Sequence, residues 1–190
     1  MTVRQSGRGP QGPRPRGGAG YSLIELLLVC AVIAIVSAVT LPVSLAGIQR
    51  SRGWSGTRFV AARLVRARTS AVARGAIVAV RLDGEDATTT LSSFVDRNRN
   101  GVLTREIDGG IDGRLEDPVP IAALFPGVRI AVDEGSPRLF SFSPDGTSTS
   151  GSIYVTSTDG TRFAVRVLGS TGRVRIERYL PERNAWTETY

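Results

Sequence analysis

The sequence has no histidine, no lysine and only one cysteine. Without histidine, neither a Ser-His-Asp nor a Cys-His catalytic arrangement can form, and the commonest transition-metal ligand is missing. Cys30 has no second cysteine to pair with, so no intramolecular disulfide can form and the fold depends on packing. All 24 basic residues are arginine, a bias better explained by codon usage than by chemistry. The chain also lacks a phosphate loop and a suggestive pair of carboxylates, and we therefore expect a protein that is not an enzyme.

An apolar run extends from Tyr21 to Leu41 and contains one acid, Glu25. As a helix, this run would be about 31 Å long, enough to cross a bilayer core of about 30 Å. Pro42 follows at once, and the sequence predicts a transmembrane helix over residues 21–42. An acid in such a helix is costly unless it has a positive partner, which makes Glu25 a candidate functional residue. The alternative is a plain anchor helix in which Glu25 reaches the lipid headgroups.

The first 20 residues are basic and rich in glycine and proline, with four arginines and no acid. A basic flank before an apolar helix predicts a cytoplasmic N-terminus, with the bulk of the chain on the other side of the membrane. An ordinary secretory signal has its small-residue cleavage site after the apolar stretch, whereas here the small residues 17–20 precede it. Without the four arginines of this segment the formal net charge would fall from +7 to +3, so the net charge is weak evidence for nucleic-acid binding.

The motif Gly20-Tyr-Ser-Leu-Ile-Glu25, followed by an apolar helix and Pro42, resembles that of type IV prepilins and of the pseudopilins of type II secretion. The resemblance implies that a prepilin peptidase removes residues 1–20, that Tyr21 is N-methylated, and that the helix leaves the inner membrane for a filament. Tyr21 departs from the usual phenylalanine. The implied partners are other pilins or pseudopilins, the peptidase, the inner-membrane assembly platform and, before assembly, membrane lipid. In the filament, Glu25 would neutralise the new α-amine of a neighbouring Tyr21.

Residues 43–75 continue the helix in amphipathic form. Val60, Leu64, Ala67 and Ala71 recur at helical spacing, and we expect this stripe to pack on a sheet, with the arginines on a side that faces solvent or a neighbouring subunit. Three glycines at positions 47, 53 and 56 suggest a pliable middle.

Residues 76–180 alternate with a period of two and predict a β domain, which the resemblance implies is periplasmic, whereas residues 181–190 predict a fraying tail that contains Trp186. The fold class is therefore α+β, a pilin-like helix packed on an antiparallel β-sheet or sandwich. The predicted strands are Ile77–Leu82, Thr88–Phe94, Val128–Val132, Leu139–Phe142, Ser152–Thr156, Phe163–Leu168 and Val174–Tyr179.

Three stretches, residues 59–80, 140–146 and 167–174, also resemble protein H of type II secretion. This resemblance implies a minor pseudopilin that helps the periplasmic pseudopilus to export proteins. The alternative is a FimT-like minor pilin of a type IV pilus, involved in pilus biogenesis or in DNA binding and uptake.

The segment Asp96-Arg-Asn98-Arg-Asn100-Gly places side-chain oxygens at alternate positions, as the opening of an EF-hand calcium loop does. The twelfth position is Ile107 instead of glutamate, and only a shifted loop would let Glu106 or Asp108 serve. Two interpretations remain: a weak calcium loop of Asp96, Asn98, Asn100 and Asp108, and the favoured one, a polar Asx turn between strands.

The glycine-rich acidic residues 108–118 show no strand pattern, and we expect an exposed loop there. Trp54, a dozen residues after Pro42, is expected at the membrane interface or in subunit packing.

Overall fold

The computed structural model describes residues 21–133 and 135–189, and within this range the side chains of residues 39–46 lie outside the description. The chain divides into two compact units, Met1–Pro42 and Val43–Tyr190. The elements are α1 (Leu23–Arg74), β1 (Val78–Asp83), β2 (Thr90–Val95), α2 (Thr104–Asp108), β3 (Gly113–Pro120), α3 (Ile121–Leu124), β4 (Arg129–Val132), β5 (Leu139–Phe142), β6 (Gly151–Thr156), β7 (Arg162–Leu168), β8 (Arg173–Leu180), a 3₁₀ turn (Pro181–Arg183) and β9 (Ala185–Glu188).

The described part of the first unit is the N-terminal portion of α1. Ser22 starts this helix, and its carbonyl accepts the main-chain N–H groups of Glu25 at 3.0 Å and Leu26 at 3.2 Å. Among the described residues, no helix is both long and apolar enough to cross a membrane. The span predicted over residues 21–42 includes residues 39–42, whose side chains are outside the description, and it stays a prediction.

The second unit contains two antiparallel sheets. The first has the strand order β3-β2-β1-β5 and the second the order β4-β6-β7-β8-β9. All seven predicted strands are present with boundaries within two residues of those expected. Buried side chains alternate with less buried ones along β5, as a period of two predicts, whereas β1 and β2 are buried at most of their positions.

The core lies between α1 and the two sheets. Val60, Leu64, Ala67 and Ala71 of α1 are at most 4% exposed, as the helical spacing predicts. They share one hydrophobic cluster with Phe140 and other side chains of the first sheet and with those of the second. Small residues on the helix let its axis come close to both sheets, and the predicted α+β class is confirmed.

Gly53 and Gly56, two of the three glycines expected to make the helix pliable, lie where other parts of the chain pack closely against α1. A Cβ on Gly53 would lie 2.6 Å from Cβ of Ser157, and one on Gly56 would lie 3.3 Å from Val128. At Gly47, in contrast, nothing lies within 4 Å of an added Cβ. The glycines at 53 and 56 therefore permit close approach between α1 and the second sheet, and the chain is helical through both.

The aromatic residue Trp54 packs inside the chain. Its ring lies 5.6 Å from that of Phe163 of β7, and it borders the main core. The indole is half-buried and covers the end of the second sheet, and the expected role of Trp54 at the membrane interface or in subunit packing stays a prediction.

The expected loop at residues 108–118 is wrong, since its second half forms β3 at an edge of the first sheet. Pro118 and Pro120 cannot donate to a ladder, and an edge position tolerates them. The register against β2 shifts between Leu91 and Phe94. Because of these irregularities, β3 lacks the alternation of apolar and polar residues by which a strand is predicted from sequence.

The edge strand β3 also changes the role predicted for one helix arginine. Glu116 of β3 accepts hydrogen bonds from Arg63 and from Ser93, the latter at 2.9 Å, and Arg66 lies 3.1 Å away. The Arg63 side chain is only 16% exposed. Arg63 therefore joins α1 to the first sheet instead of lying on a solvated face.

The expected fraying tail is wrong for Ala185–Glu188, which form β9 and pair with β8. The Trp186 ring lies 5.5 Å from Tyr154 and 5.2 Å from Tyr179, between the two. Aromatic packing across strands fixes this segment.

Candidate functional site

The residues predicted for processing and assembly lie at the start of α1. Gly20 is outside the described residues, Tyr21 is 83% exposed, and Glu25 is exposed in the first helical turn. Pro42 is helical in its main chain. Within the described part of the chain, Glu25 has no ion-pair partner, and its predicted pairing with a neighbouring subunit stays a prediction.

The large apolar side chains of this helical segment are largely exposed. Every large apolar side chain from Leu23 to Val36 is at least 50% exposed, and Leu23 reaches 81%. A surface of this kind needs lipid or other helices to cover it. Cys30 is exposed on the same segment as a free thiol.

A second group of polar residues lies between β2 and β3. The Asp96 carboxylate accepts the main-chain N–H groups of Asn98, Arg99 and Gly101, at 3.1, 2.7 and 2.8 Å. These bonds form the Asx-type turn that the sequence predicts as the favoured interpretation.

Glu106 of α2 lies beside this turn. Its carboxylate accepts the side-chain amides of Asn98 and Asn100, both at 2.9 Å. These two hydrogen bonds lower the pKa of Glu106 below its usual value, against the opposing effects of burial and of nearby Asp96. The structure therefore brings Glu106 to the loop.

Asp108, predicted as a calcium ligand, is engaged elsewhere. Its carboxylate accepts a hydrogen bond from Arg81 at 2.7 Å and is largely exposed. Asp112 was not predicted, and its Oδ2 accepts the N–H of Leu103 at 3.1 Å. No sequence signal points to Asp112, because it lies outside the Asp96–Gly101 motif. The chain returns to this loop only after the turn of α2. Among the described residues, no three His, Cys, Asp or Glu side chains group closely enough to hold a metal ion.

A third feature is the outer face of the second sheet, opposite the core. Tyr154, Tyr179 and Trp186 form its aromatic cluster. The guanidinium of Arg162 lies 4.0 Å from the centroid of the Tyr179 ring, and that of Arg166 lies 5.7 Å from the Trp186 ring. The face thus combines aromatic rings with guanidinium groups.

The fold and the exposed apolar helix define a pilin-like α+β protein. Residues 57–172 match the family model described as "Type II transport protein GspH". The chain is 31% identical over 156 residues to the type II secretion system protein H of Xanthomonas campestris pv. campestris, covering 82% of this chain and 81% of that protein. It is also similar to the structure of the minor pseudopilin EpsH from the type 2 secretion system of Vibrio cholerae, with a TM-score of 0.48 and 13% identity over 66% of this chain and 95% of that one.

The chain belongs to the GspH family, the minor pseudopilins of type II secretion. The predicted resemblance to protein H is confirmed by the family model and by the Xanthomonas relative. Members of this family are structural subunits, and the family points to the periplasmic pseudopilus as the place where they work.

Proposed function

We propose that this protein joins the pseudopilus of a type II secretion system through α1 and contributes to the export of proteins. The observation that carries the proposal is the exposed apolar surface of Leu23 to Val36. Packing against the same helix of neighbouring pseudopilins would bury this surface and supply most of the association energy.

Glu25 sets the register between neighbours in this proposal. Cleavage after Gly20 leaves a positive α-amine on Tyr21, and the Glu25 carboxylate of the next subunit accepts its hydrogen bonds. Inside an apolar bundle, a paired charge is far less costly than a single one. The pairing fixes one axial offset among the several that an apolar stripe alone would allow.

In this proposal the protein meets its partners in a fixed order. The unprocessed chain lies in the inner membrane with residues 1–20 in the cytoplasm, where prepilin peptidase removes them. The assembly platform then transfers the helix from lipid into the pseudopilus. The protein acts without catalysis, as a subunit whose work is binding.

Processing tests this proposal directly. The protein purified from the membranes of its host should begin at Tyr21 and carry one N-terminal methyl group, as measured by intact-mass and N-terminal peptide mass spectrometry. Replacing Gly20 with valine should leave the leader attached, whereas Gly18→Val should be processed normally. A native protein that still begins at Met1 would contradict the proposal, because no α-amine would then reach Glu25.

A second candidate function is the binding of single-stranded DNA by the outer face of the second sheet. Arg162 is exposed and stacked on Tyr179, and Arg173 and Arg175 share one acid, Glu188, at 3.8 and 4.0 Å. Rings and guanidinium groups on one sheet face suit bases and phosphates.

DNA binding is measured by the fluorescence anisotropy of a labelled thymidine oligonucleotide mixed with the full protein in detergent. Log affinity should fall with log salt by about 0.7 for each phosphate neutralised. Arg162→Gln should weaken binding several-fold, whereas Arg74→Gln, at an exposed arginine that ends α1, should not. Absence of binding at low salt would exclude this function.

A further inference from the structure

A cavity of about 330 Å³ lies between α1 and the second sheet, beside the Trp54 ring. We call it the Trp54 cavity, and its lining includes Arg50, Ser51, Trp54, Phe163, Arg178 and Thr189. All of these residues belong to the second of the two compact units. The volume is within the range of cavities that hold small molecules.

Most of the wall of the Trp54 cavity is apolar. The wall includes the rings of Trp54 and Phe163, which lie 5.6 Å apart. Gly47 also lines the cavity, and nothing lies within 4 Å of a Cβ added there. A ligand that fills this space therefore needs an apolar part.

Arg178 brings a positive charge to this apolar cavity. It lies directly opposite Phe163 in the pairing of β7 and β8, so both side chains are on the same face of the sheet. Arg178 is half-buried, and its Nε is buried and donates no hydrogen bond within the described part of the chain. Burial of a guanidinium is costly unless an anion compensates it.

The acids closest to Arg178 in the chain and to Arg50 in space do not supply that anion. Glu177 precedes Arg178 in β8, so it lies on the opposite face of the sheet, where it contacts Arg166 at 2.6 Å. Asp159 lies 3.6 Å from Arg50, whose own side chain is 61% exposed. Among the described residues, the lining of the Trp54 cavity thus has two arginines and no acid.

The excess of positive charge continues on the other side of Trp54. A second cavity of about 450 Å³ shares Trp54 and Thr189 with the first. Its lining contributes one acid, Glu188, and three arginines: Arg58, Arg173 and Arg175. Both cavities are therefore suited to an anion.

The position of the Trp54 cavity in the sequence indicates where that anion comes from. Gly47 follows Leu41, the last residue of the apolar run, by six residues. Six residues span about 20 Å at most, even when fully extended. Lipid headgroups are therefore within reach of the cavity whenever the apolar run is embedded in a membrane, and tryptophan is a residue that favours this boundary.

We propose that the Trp54 cavity binds the headgroup of an anionic phospholipid before the protein enters the pseudopilus. This inference rests on the proposed function, since it requires α1 to occupy the membrane first. The lipid phosphate accepts hydrogen bonds from Arg50 and Arg178, and the two rings cover the glycerol and the first acyl carbons. A free phosphate would leave the apolar wall uncovered, and an acidic peptide is not concentrated at the membrane surface.

The test uses the full protein in detergent with Trp186→Phe, so that Trp54 is the one remaining tryptophan. Its fluorescence is followed while dioctanoyl-phosphatidylglycerol, dioctanoyl-phosphatidylcholine or glycerol 1-phosphate is added. We expect saturable binding of phosphatidylglycerol, about ten-fold tighter than that of phosphatidylcholine, because two arginines face the net negative charge. Glycerol 1-phosphate should bind more weakly than the lipid, because it lacks acyl chains.

Three results of these titrations would overturn the proposal. Equal affinity for the two lipids would mean that the cavity does not select a negative headgroup. Binding of glycerol 1-phosphate as tight as that of phosphatidylglycerol would exclude a lipid as the preferred ligand. Displacement of phosphatidylglycerol by a lower concentration of hexaglutamate would indicate an acidic protein partner instead.

Two variants separate the Trp54 cavity from a general attraction between arginines and anionic lipid. Arg178→Gln should weaken phosphatidylglycerol binding by about five-fold and leave phosphatidylcholine binding unchanged. Arg74→Gln makes the same change of charge at an exposed arginine that ends α1, and it should bind both lipids as the unchanged protein does. Equal weakening by both variants would overturn the proposal.

Two further measurements keep the outcome unambiguous. The Tm of each variant is recorded without lipid, and if Arg178→Gln does not fold, Arg50→Gln takes its place with the same expected loss. The N-terminus of the protein from its host is determined separately by mass spectrometry. Absence of phosphatidylglycerol binding by a protein that is processed normally would overturn this inference and leave the proposed function intact.

Discussion

Glu25→Ala should remove the protein from the pseudopilus while leaving it folded and located in the membrane. The substitution leaves the apolar surface of α1 intact, so insertion into the membrane is unaffected or slightly easier. What is lost is the carboxylate that, in our proposal, faces the α-amine of a neighbouring Tyr21. Removing one partner of a buried ion pair costs about 3–5 kcal/mol, which corresponds to a loss of affinity of at least about a hundred-fold.

The measurement is co-purification of other pseudopilins with the cross-linked protein, together with the amount of protein secreted. Ser22→Ala is the matched control, since it alters the same exposed end of α1 without changing charge. Glu25→Asp keeps the charge on a shorter side chain and should restore part of the assembly. Normal assembly of Glu25→Ala would contradict the proposed ion pair between Glu25 and the α-amine of a neighbouring Tyr21.

The second large effect is expected at Leu64, in the middle of the main core. Leu64 is fully buried between α1 and the two sheets. Leu64→Ala would leave a cavity in that core, and substitutions of this kind lower the free energy of unfolding by about 2–5 kcal/mol. Because a domain of this size has a total stability of about 5–15 kcal/mol, the variant should be close to unfolding at moderate temperature.

The adjacent residue provides the control. Val65 is 48% exposed, and Val65→Ala should change stability by no more than about 0.5 kcal/mol. Urea unfolding of both variants can be followed by fluorescence, because Trp54 reports on its contact with Phe163. If the two substitutions lowered the free energy of unfolding equally, α1 could not pack on the sheets through the face that carries Leu64.

Regular alternation and regular helical spacing made most of the fold predictable. The helical spacing from Val60 to Ala71 predicts which side chains are buried, and the β-rich runs of the β domain predict where its strands lie. The strand β3 could not be predicted, because Pro118 and Pro120 argue against a strand unless its edge position is known. The short strand β9 depends on ring contacts of Trp186 with residues far away in the chain.

The helix glycines show another limit of sequence reasoning. From the local sequence, a helix glycine that adds flexibility cannot be distinguished from one that permits close packing. Only the position of Ser157, about a hundred residues later in the chain, identifies Gly53 as a close contact.

The candidate sites were predictable to different degrees. The turn at Asp96 follows from local hydrogen bonding, and the sequence predicts it correctly. The buried state of Asp112 depends on how α2 folds back over the first sheet, and Asp108 pairs with Arg81 for the same reason. Long-range placement of charges is not encoded in residue spacing.

The last strand has a practical consequence for work with this protein. Because β9 covers one side of β8, a chain shortened after Leu180 would present the N–H and C=O groups of β8 to other molecules. Such an open border invites strand addition and aggregation. Purification handles are therefore better attached through a flexible spacer beyond residue 190 than substituted for the final residues.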